Sequence, residues 1–243
     1  MTASGVRFLA AGDTALTVEF GDAAVPGLAA QILAFHGRIE GAEISGLLET
    51  VPTLRSLTVH YDPLVTSHDE IKRRLEPLTR ALPETCERGR SWTIPVCYDP
   101  AVAPDIEAVG RETIGTAAAV AELHASVRYT VYMLGFLPGL PYMGDLPEAL
   151  RLPRRESPRT NVPAGSVAIA TTMSAIYPLN SPGGWHLIGR TPIRLFEPRR
   201  TSPVLLSPAD TVCFRPISLS QFEEMGAKAA DGTWDLTPDA EVS

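Results

Sequence analysis

The chain has 243 residues, a net charge of −7 and 44% hydrophobic residues. That is enough length and apolar content for a buried core, which excludes global disorder and a disulfide-stapled scaffold. The excess of acid excludes a general nucleic-acid binder, because phosphate neutralisation needs a basic face.

In chain order, residues 6–20 read as two strands around the turn Gly12-Asp13, with Leu16, Val18 and Phe20 alternating on one face. Residues 23–40 read as a helix: Leu28, Ile32, Phe35 and Ile39 recur at spacings of three and four after Pro26. Two strands follow within 44–61, split at Pro52-Thr53, and Ser67-His68-Asp69-Glu70 forms a capping box that opens a helix to about residue 82. Ser91–Tyr98 is a further strand, which completes the order ββαββαβ. That order predicts an α+β domain over residues 1–95, ferredoxin-like in arrangement. Residues 103–126 are helical in two pieces broken near Gly115. From Val127 the pattern is mainly β, with short strands between Gly/Pro turns, and predicts a barrel or sandwich over residues 96–243. The stretch LSQFEEMGAKAA closes the pattern as a short helix.

Two compositional biases localise the interest. Of 22 prolines, thirteen lie between Pro138 and Pro216, where they exclude long helices and the interiors of central strands and leave well-defined loops. Residues 125–200 carry a net charge of +5 inside an acidic chain, a match for a small anion or an acidic partner surface, or else a scatter of solvated arginines. There is no run of 18 apolar residues, and the N-terminus lacks the basic-then-apolar signal pattern, so a membrane span and export are not expected. Cys86, Cys97 and Cys213 are widely spaced and odd in number, as free buried thiols in a cytoplasmic protein would be. The sequence has no Walker-type phosphate loop, no dinucleotide fingerprint, no zinc-ligand spacing and no complete nucleophile elbow. No metal site is expected.

Three loop strings carry the remaining signal: GFLPGLPY at 135–142, PRRESPRTNVPAGS at 153–166 and IYPLNSPGGWHLIGRTP at 176–192. Together they resemble the allophanate hydrolase subunit 1 family, also known as Kip inhibitor or the 5-oxoprolinase B component. The resemblance is dense from His124 to Pro198 and looser upstream. It implies a cyclophilin-like β-barrel after the α+β domain, and work in a heteromeric, ATP-dependent 5-oxoprolinase together with a homologous C component and an A component. In such a complex ATP is expected mainly on the partners. Two alternatives come with the family: the carboxyl-transfer part of a biotin-dependent urea or guanidine carboxylase, and a non-enzymatic inhibitor of a sensor histidine kinase. The chain departs from the family at Met173, where many members carry glutamine, and at Leu140, where they carry phenylalanine.

The candidate residues follow from the strings and from the chemistry of their side chains. His124 is either a general acid/base or a core histidine bonded to backbone. Arg155, Arg159 and Arg190 are candidates for gripping a carboxylate or phosphate of a small anionic substrate through paired N–H groups. Tyr177 and Trp185 either wall a small flat ligand or pack as core aromatics. Ser181, Gly183, Gly184 and Thr191 complete the substrate-binding set, and the glycine pair lets backbone approach a ligand. Gly135, Phe136, Pro138 and Gly139 are expected to build a sharp turn beside the site. His36, His60, His68 and His186 are weaker candidates, the last placed beside the site.

Overall fold

The computed structural model describes residues 5–22, 26–84, 89–230 and 236–239. Cys86 lies outside them. The chain divides into two compact units, residues 1–87 and 88–243.

In the first unit, strands β1 (Arg7–Ala10) and β2 (Ala15–Glu19) form a hairpin and helix α1 (Pro26–Glu40) follows; then come β3 (Leu47–Pro52), β4 (Ser56–Tyr61) and helix α2 (His68–Leu75). The four strands pair in the order β1-β2-β4-β3, antiparallel throughout. Leu16 and Val18 of β2 and Leu57 and Val59 of β4 share one face with Leu28, Ile32, Phe35 and Ile39 of α1 in a single buried cluster. Each large side chain so buried contributes about 1.5–3 kcal/mol. Ser67 caps α2 by accepting the Glu70 amide at 3.2 Å. Glu70 does not close the box. Its carboxylate pairs with Arg73 and Arg74 instead. The helix gives way at Glu76 to a 3-10 turn through Thr79, short of the expected residue 82, because Pro77 supplies no amide hydrogen to continue it.

The second unit contains β5 (Ser91–Cys97), α3 (Ile106–Glu112), α4 (Ala117–Ala125), β6 (Arg128–Leu134), β7 (Pro141–Gly144), β8 (Arg159–Val162), β9 (Ser166–Ala170), β10 (Met173–Ile176), β11 (Ser181–Gly183), β12 (His186–Arg190), β13 (Thr211–Ile217) and α5 (Leu219–Ala230). Seven of these strands close a barrel in the order β10-β7-β6-β13-β5-β12-β9, and β8 pairs with β11 outside it. A closed barrel agrees with the cyclophilin-like expectation. The helices α3 and α4 are separated at Gly115, whose φ of +101° ends the first piece.

The strand 91–97 corrects the expected organisation. It does not join the sheet of the first unit; it pairs along its whole length with β13, in parallel, and its end meets β12. The first unit therefore runs ββαββα. Its α+β class stands, but the βαββαβ chain order of a ferredoxin-like domain is not met. The proline rule also has exceptions: Pro95 and Pro216 stand inside β5 and β13. On its other side β5 meets β12 at a single pair, Arg190 and Cys97, so few ladder bonds are at stake there.

Candidate functional site

Alternation along the barrel strands sorts side chains into two compartments. Val167 and Ile169 of β9, Ile176 of β10 and Ile188 of β12 belong to the inner core. Their neighbours Ala168, Ala170, Ala175 and Leu187 belong to a separate outer cluster with Leu140, Val162, Tyr177 and Trp185. A cavity of about 290 Å³ opens on that outer cluster, lined among others by Phe136, Tyr142, Arg154, Arg155, Tyr177 and Trp185. Ala175 lines the cavity, and its small side chain leaves space that a larger one there would fill.

Aromatic walls and arginines define its chemistry. Tyr142 meets Trp185 edge-on with ring centroids 5.8 Å apart, and the Arg154 guanidinium lies 6.0 Å from the centre of the Trp185 ring. Burial raises the hydroxyl pKa values of Tyr142 and Tyr177, with the Arg154 charge opposing the rise at both. Both hydroxyls are therefore neutral and able to donate.

Behind this wall stands Asp105, which begins α3 and is 5% exposed. Its carboxylate accepts from Arg155 Nη1 at 3.0 Å, from Arg159 Nη1 and Nη2 at 2.9 and 2.7 Å, and from the Leu187 amide at 2.7 Å. The Asp105 amide in turn donates to the Leu187 carbonyl, so α3 is tied to β12 at this point. Arg155 is fixed further by its amide, which donates to Gly184 O at 2.8 Å.

The expected residues separate into those the cavity gathers and those it does not. Arg155, Tyr177, Gly183, Gly184, Trp185 and Phe136 line it. Phe136 stands at the rim, 66% exposed, with a φ of +68° in the tight turn that the Gly135 amide closes on Leu140 O; Pro138 and Gly139 lie within the same turn. Arg159 does not line the cavity, since its guanidinium is spent on Asp105. Ser181 is buried in β11 and donates to the neighbouring Pro182 carbonyl. Arg190 donates to Ala164 O and lies over Phe222, while the Thr191 amide donates to Gly165 O; both belong to the packing around Gly165. His186 sits beside Trp185, its Nε2 2.9 Å from the Pro153 carbonyl. Met173 packs against the outer cluster without lining the cavity.

His124 is placed in the other compartment. It is 0% exposed inside the barrel, its ring stacked on Phe214 with centroids 4.6 Å apart. Nδ1 lies 2.8 Å from Tyr98 Oη and Nε2 3.0 Å from Ser174 Oγ, so its partners are side chains rather than the expected backbone. Burial lowers its pKa to about 3. A histidine so enclosed does not reach the cavity, because Ser174 and the cavity-lining Ala175 are successive residues on opposite faces of β10. The general acid/base expectation is corrected to a core role.

Asp105, Arg154 and Tyr142 were not singled out by the sequence. Arg154 and Tyr142 stand inside the loop strings. Asp105 looks like an ordinary helix start, yet it makes no side-chain cap bond. Among the described residues no group of three or more His, Cys, Asp or Glu is gathered as for a metal ion, and no helix is long and apolar enough to cross a membrane.

The glycine at 183 has a specific cause. A Cβ there would overlap the Tyr177 hydroxyl and ring. Gly183→Ala is therefore expected to push Tyr177 into the cavity and weaken ligand binding by about tenfold, at a stability cost of about 1–3 kcal/mol; calorimetric titration alongside urea unfolding checks both.

Comparison with known proteins gives consistent matches. The family model described as carboxyltransferase domain, subdomain C and D, matches residues 6–206. The 5-oxoprolinase B component of Bacillus subtilis (strain 168) is 36% identical over 218 residues, covering 85% of this chain and 91% of that protein. The protein of the same name from Escherichia coli O157:H7 is 43% identical over 178 residues, 72% of this chain and 80% of its own. Among solved structures, TTHA0988 superposes with a TM-score of 0.74 at 37% identity, over 84% of this chain; the match spans 40% of that longer chain.

Proposed function

On the premise that the chain belongs to the allophanate hydrolase subunit 1 family of carboxyltransferase-type domains, we propose that it is the B component of an ATP-dependent 5-oxoprolinase working with A and C components. The supporting observation is the outer cavity, which Tyr142, Tyr177 and Trp185 line together with Arg154 and Arg155. 5-Oxoproline is a small, nearly flat lactam with one carboxylate. Aromatic faces suit its ring, and a guanidinium suits its carboxylate.

In the reaction we assign, ATP phosphorylates the lactam oxygen and water adds to the carbonyl carbon. The C–N bond then breaks, the nitrogen takes a proton, and a second water releases phosphate. Two waters and one ATP are consumed for each glutamate, ADP and phosphate formed. The cavity's part is to hold and orient the lactam. ATP is assigned mainly to the partner components, and the complex to the cytoplasm, where Cys97 and Cys213, both unpaired here, stay reduced.

Mixing the three purified components with ATP and 5-oxoproline is expected to release glutamate, and omitting this chain to abolish release. Absence of turnover in the complete mixture overturns the proposal. The family description itself names carboxyl transfer, which makes urea or guanidine carboxylation the second reading. Its signature is carboxylation of urea on adding a biotin carboxylase and biotin carrier.

A further inference from the structure

The arginines at the cavity are not equivalent, and their difference is set by one carboxylate. Asp105 accepts four hydrogen bonds, two of them from Arg159. Both terminal nitrogens of Arg159 are thereby engaged. Arg155 is held by Nη1 alone. Its Nε is buried and has no hydrogen-bond partner, and its Nη2 has none among the described residues. Nε is shut off from the cavity by its burial, so Nη2 is the Arg155 donor left for a carboxylate that enters it. Arg155 lines the cavity, and its side chain is 32% exposed. Beside it Arg154 is exposed, with the Trp185 face as its neighbour and no ion-pair partner among the described residues.

Two guanidiniums on a single carboxylate, with a third nearby, leave this wall positively charged. A guanidinium nitrogen left without a partner at a cavity wall points to an acceptor that arrives with the ligand, because charge-assisted hydrogen bonds are the strong ones.

We propose that Asp105 is a positioning residue which turns Arg155 into a carboxylate receptor at the cavity, with Arg159 as a supporting strut and Arg154 as a second cation. The ligand class is a small monocarboxylate carrying a flat ring. The inference rests on the cavity being the substrate site. It assigns the selectivity of that site to the Asp105–Arg155 pair, and it withdraws Arg159 from direct ligand contact.

The test is calorimetric titration of the 243-residue chain with 5-oxoproline and with its uncharged carboxamide. The wild-type chain is expected to bind the carboxylate about 10- to 100-fold more tightly, the worth of a charge-assisted hydrogen bond. Arg155→Gln is expected to erase that preference while the carboxamide's affinity stays within about threefold, the tolerance allowed for a change that leaves the rest of the cavity intact. Arg155→Lys keeps the charge without the planar guanidinium that Asp105 orients, and is expected to fall between. Asp105→Asn is expected to behave as Arg155→Gln does, and Asp105→Glu to restore part of the preference. A purely structural role for Asp105 would lower both affinities together.

Should Asp105→Asn fail to fold, the Arg155 variants decide. Equal binding of the two ligands by the wild type, binding of neither, or a preference that survives Arg155→Gln overturns the inference. A clear carboxylate preference in a chain whose three-component mixture does not turn over 5-oxoproline sustains the receptor and rejects the 5-oxoprolinase assignment.

Discussion

Acidification from pH 7 to about 4.5 is expected to cost the barrel unit about 2–3 kcal/mol of stability through His124 alone. In the unfolded chain this imidazole takes a proton near pH 6.5, whereas in the barrel it does so only near pH 3, because burial penalises the charged form. Between those values the unfolded state binds more protons, so stability rises with pH. It is lost as pH falls below about 6.5, and the loss is complete near 3, where it reaches about 4–5 kcal/mol. The groups around the ring do not offset this. Tyr98 and Tyr129 are buried phenols whose pKa values are themselves raised, and Ser174 and Phe214 carry no charge. Urea midpoints measured across this range give the slope. His124→Gln, which keeps a polar side chain but cannot be protonated, should flatten it, and the difference between the two slopes removes the contribution of surface carboxylates. Equal slopes would mean that the imidazole is solvated in the folded state.

Asp210→Ala is expected to cost a further class of stability, about 3–5 kcal/mol, in the same unit. Asp210 is 2% exposed. It accepts the Arg90 and Ser207 amides and Trp92 Nε1, each at 2.9 Å, and Arg90 Nη2 at 3.2 Å. These bonds join the start of β5 to the segment entering β13, and the Arg90 guanidinium then lies 5.0 Å from the centre of the Trp92 ring. Removing the carboxylate leaves several donors without an acceptor, each worth about 1–3 kcal/mol where water cannot replace it. The Arg90 guanidinium is nearly half exposed, so its share is small and the amide and indole donors dominate. Asp210→Asn retains one acceptor oxygen and should lose about half as much. Tryptophan fluorescence is a suitable probe, since Trp92, Trp185 and Trp234 all belong to residues 88–243. A midpoint unchanged by Asp210→Ala would contradict this account.

Features written into short stretches of chain were legible in the sequence. The hairpin at Gly12-Asp13, the periodic helix after Pro26, the Ser67 cap, the break at Gly115 and the closing helix at 219–230 each depend on residues a few positions apart. The destination of Ser91–Cys97 was not legible. Its alternation is that of any half-buried strand, and nothing local records that its partner begins 120 residues later, at Thr211. The cavity was half legible for the same reason. Loop strings rich in Gly, Pro and aromatic residues drew attention to Tyr177, Gly183 and Trp185, but Asp105 precedes Arg155 by fifty residues and decides which arginine stays available. His124 could be placed on an apolar helix face but not on one side of a barrel wall, because that depends on the parity of Ser174 in a different strand.

The parallel pairing of β5 with β13 also governs the order of events during synthesis. The strand made first in the barrel unit needs, as its long-side neighbour, the strand made last, so closure waits until residue 217 has been added. At about 5–20 residues per second, the first unit has on the order of ten seconds to settle before the strand that pairs with both β5 and β6 is complete. Newly made chains interrupted in that interval would present the inner faces of Ile94 and Val96 to water. That makes the growing chain, rather than the finished one, the form of this protein most in need of protection from aggregation.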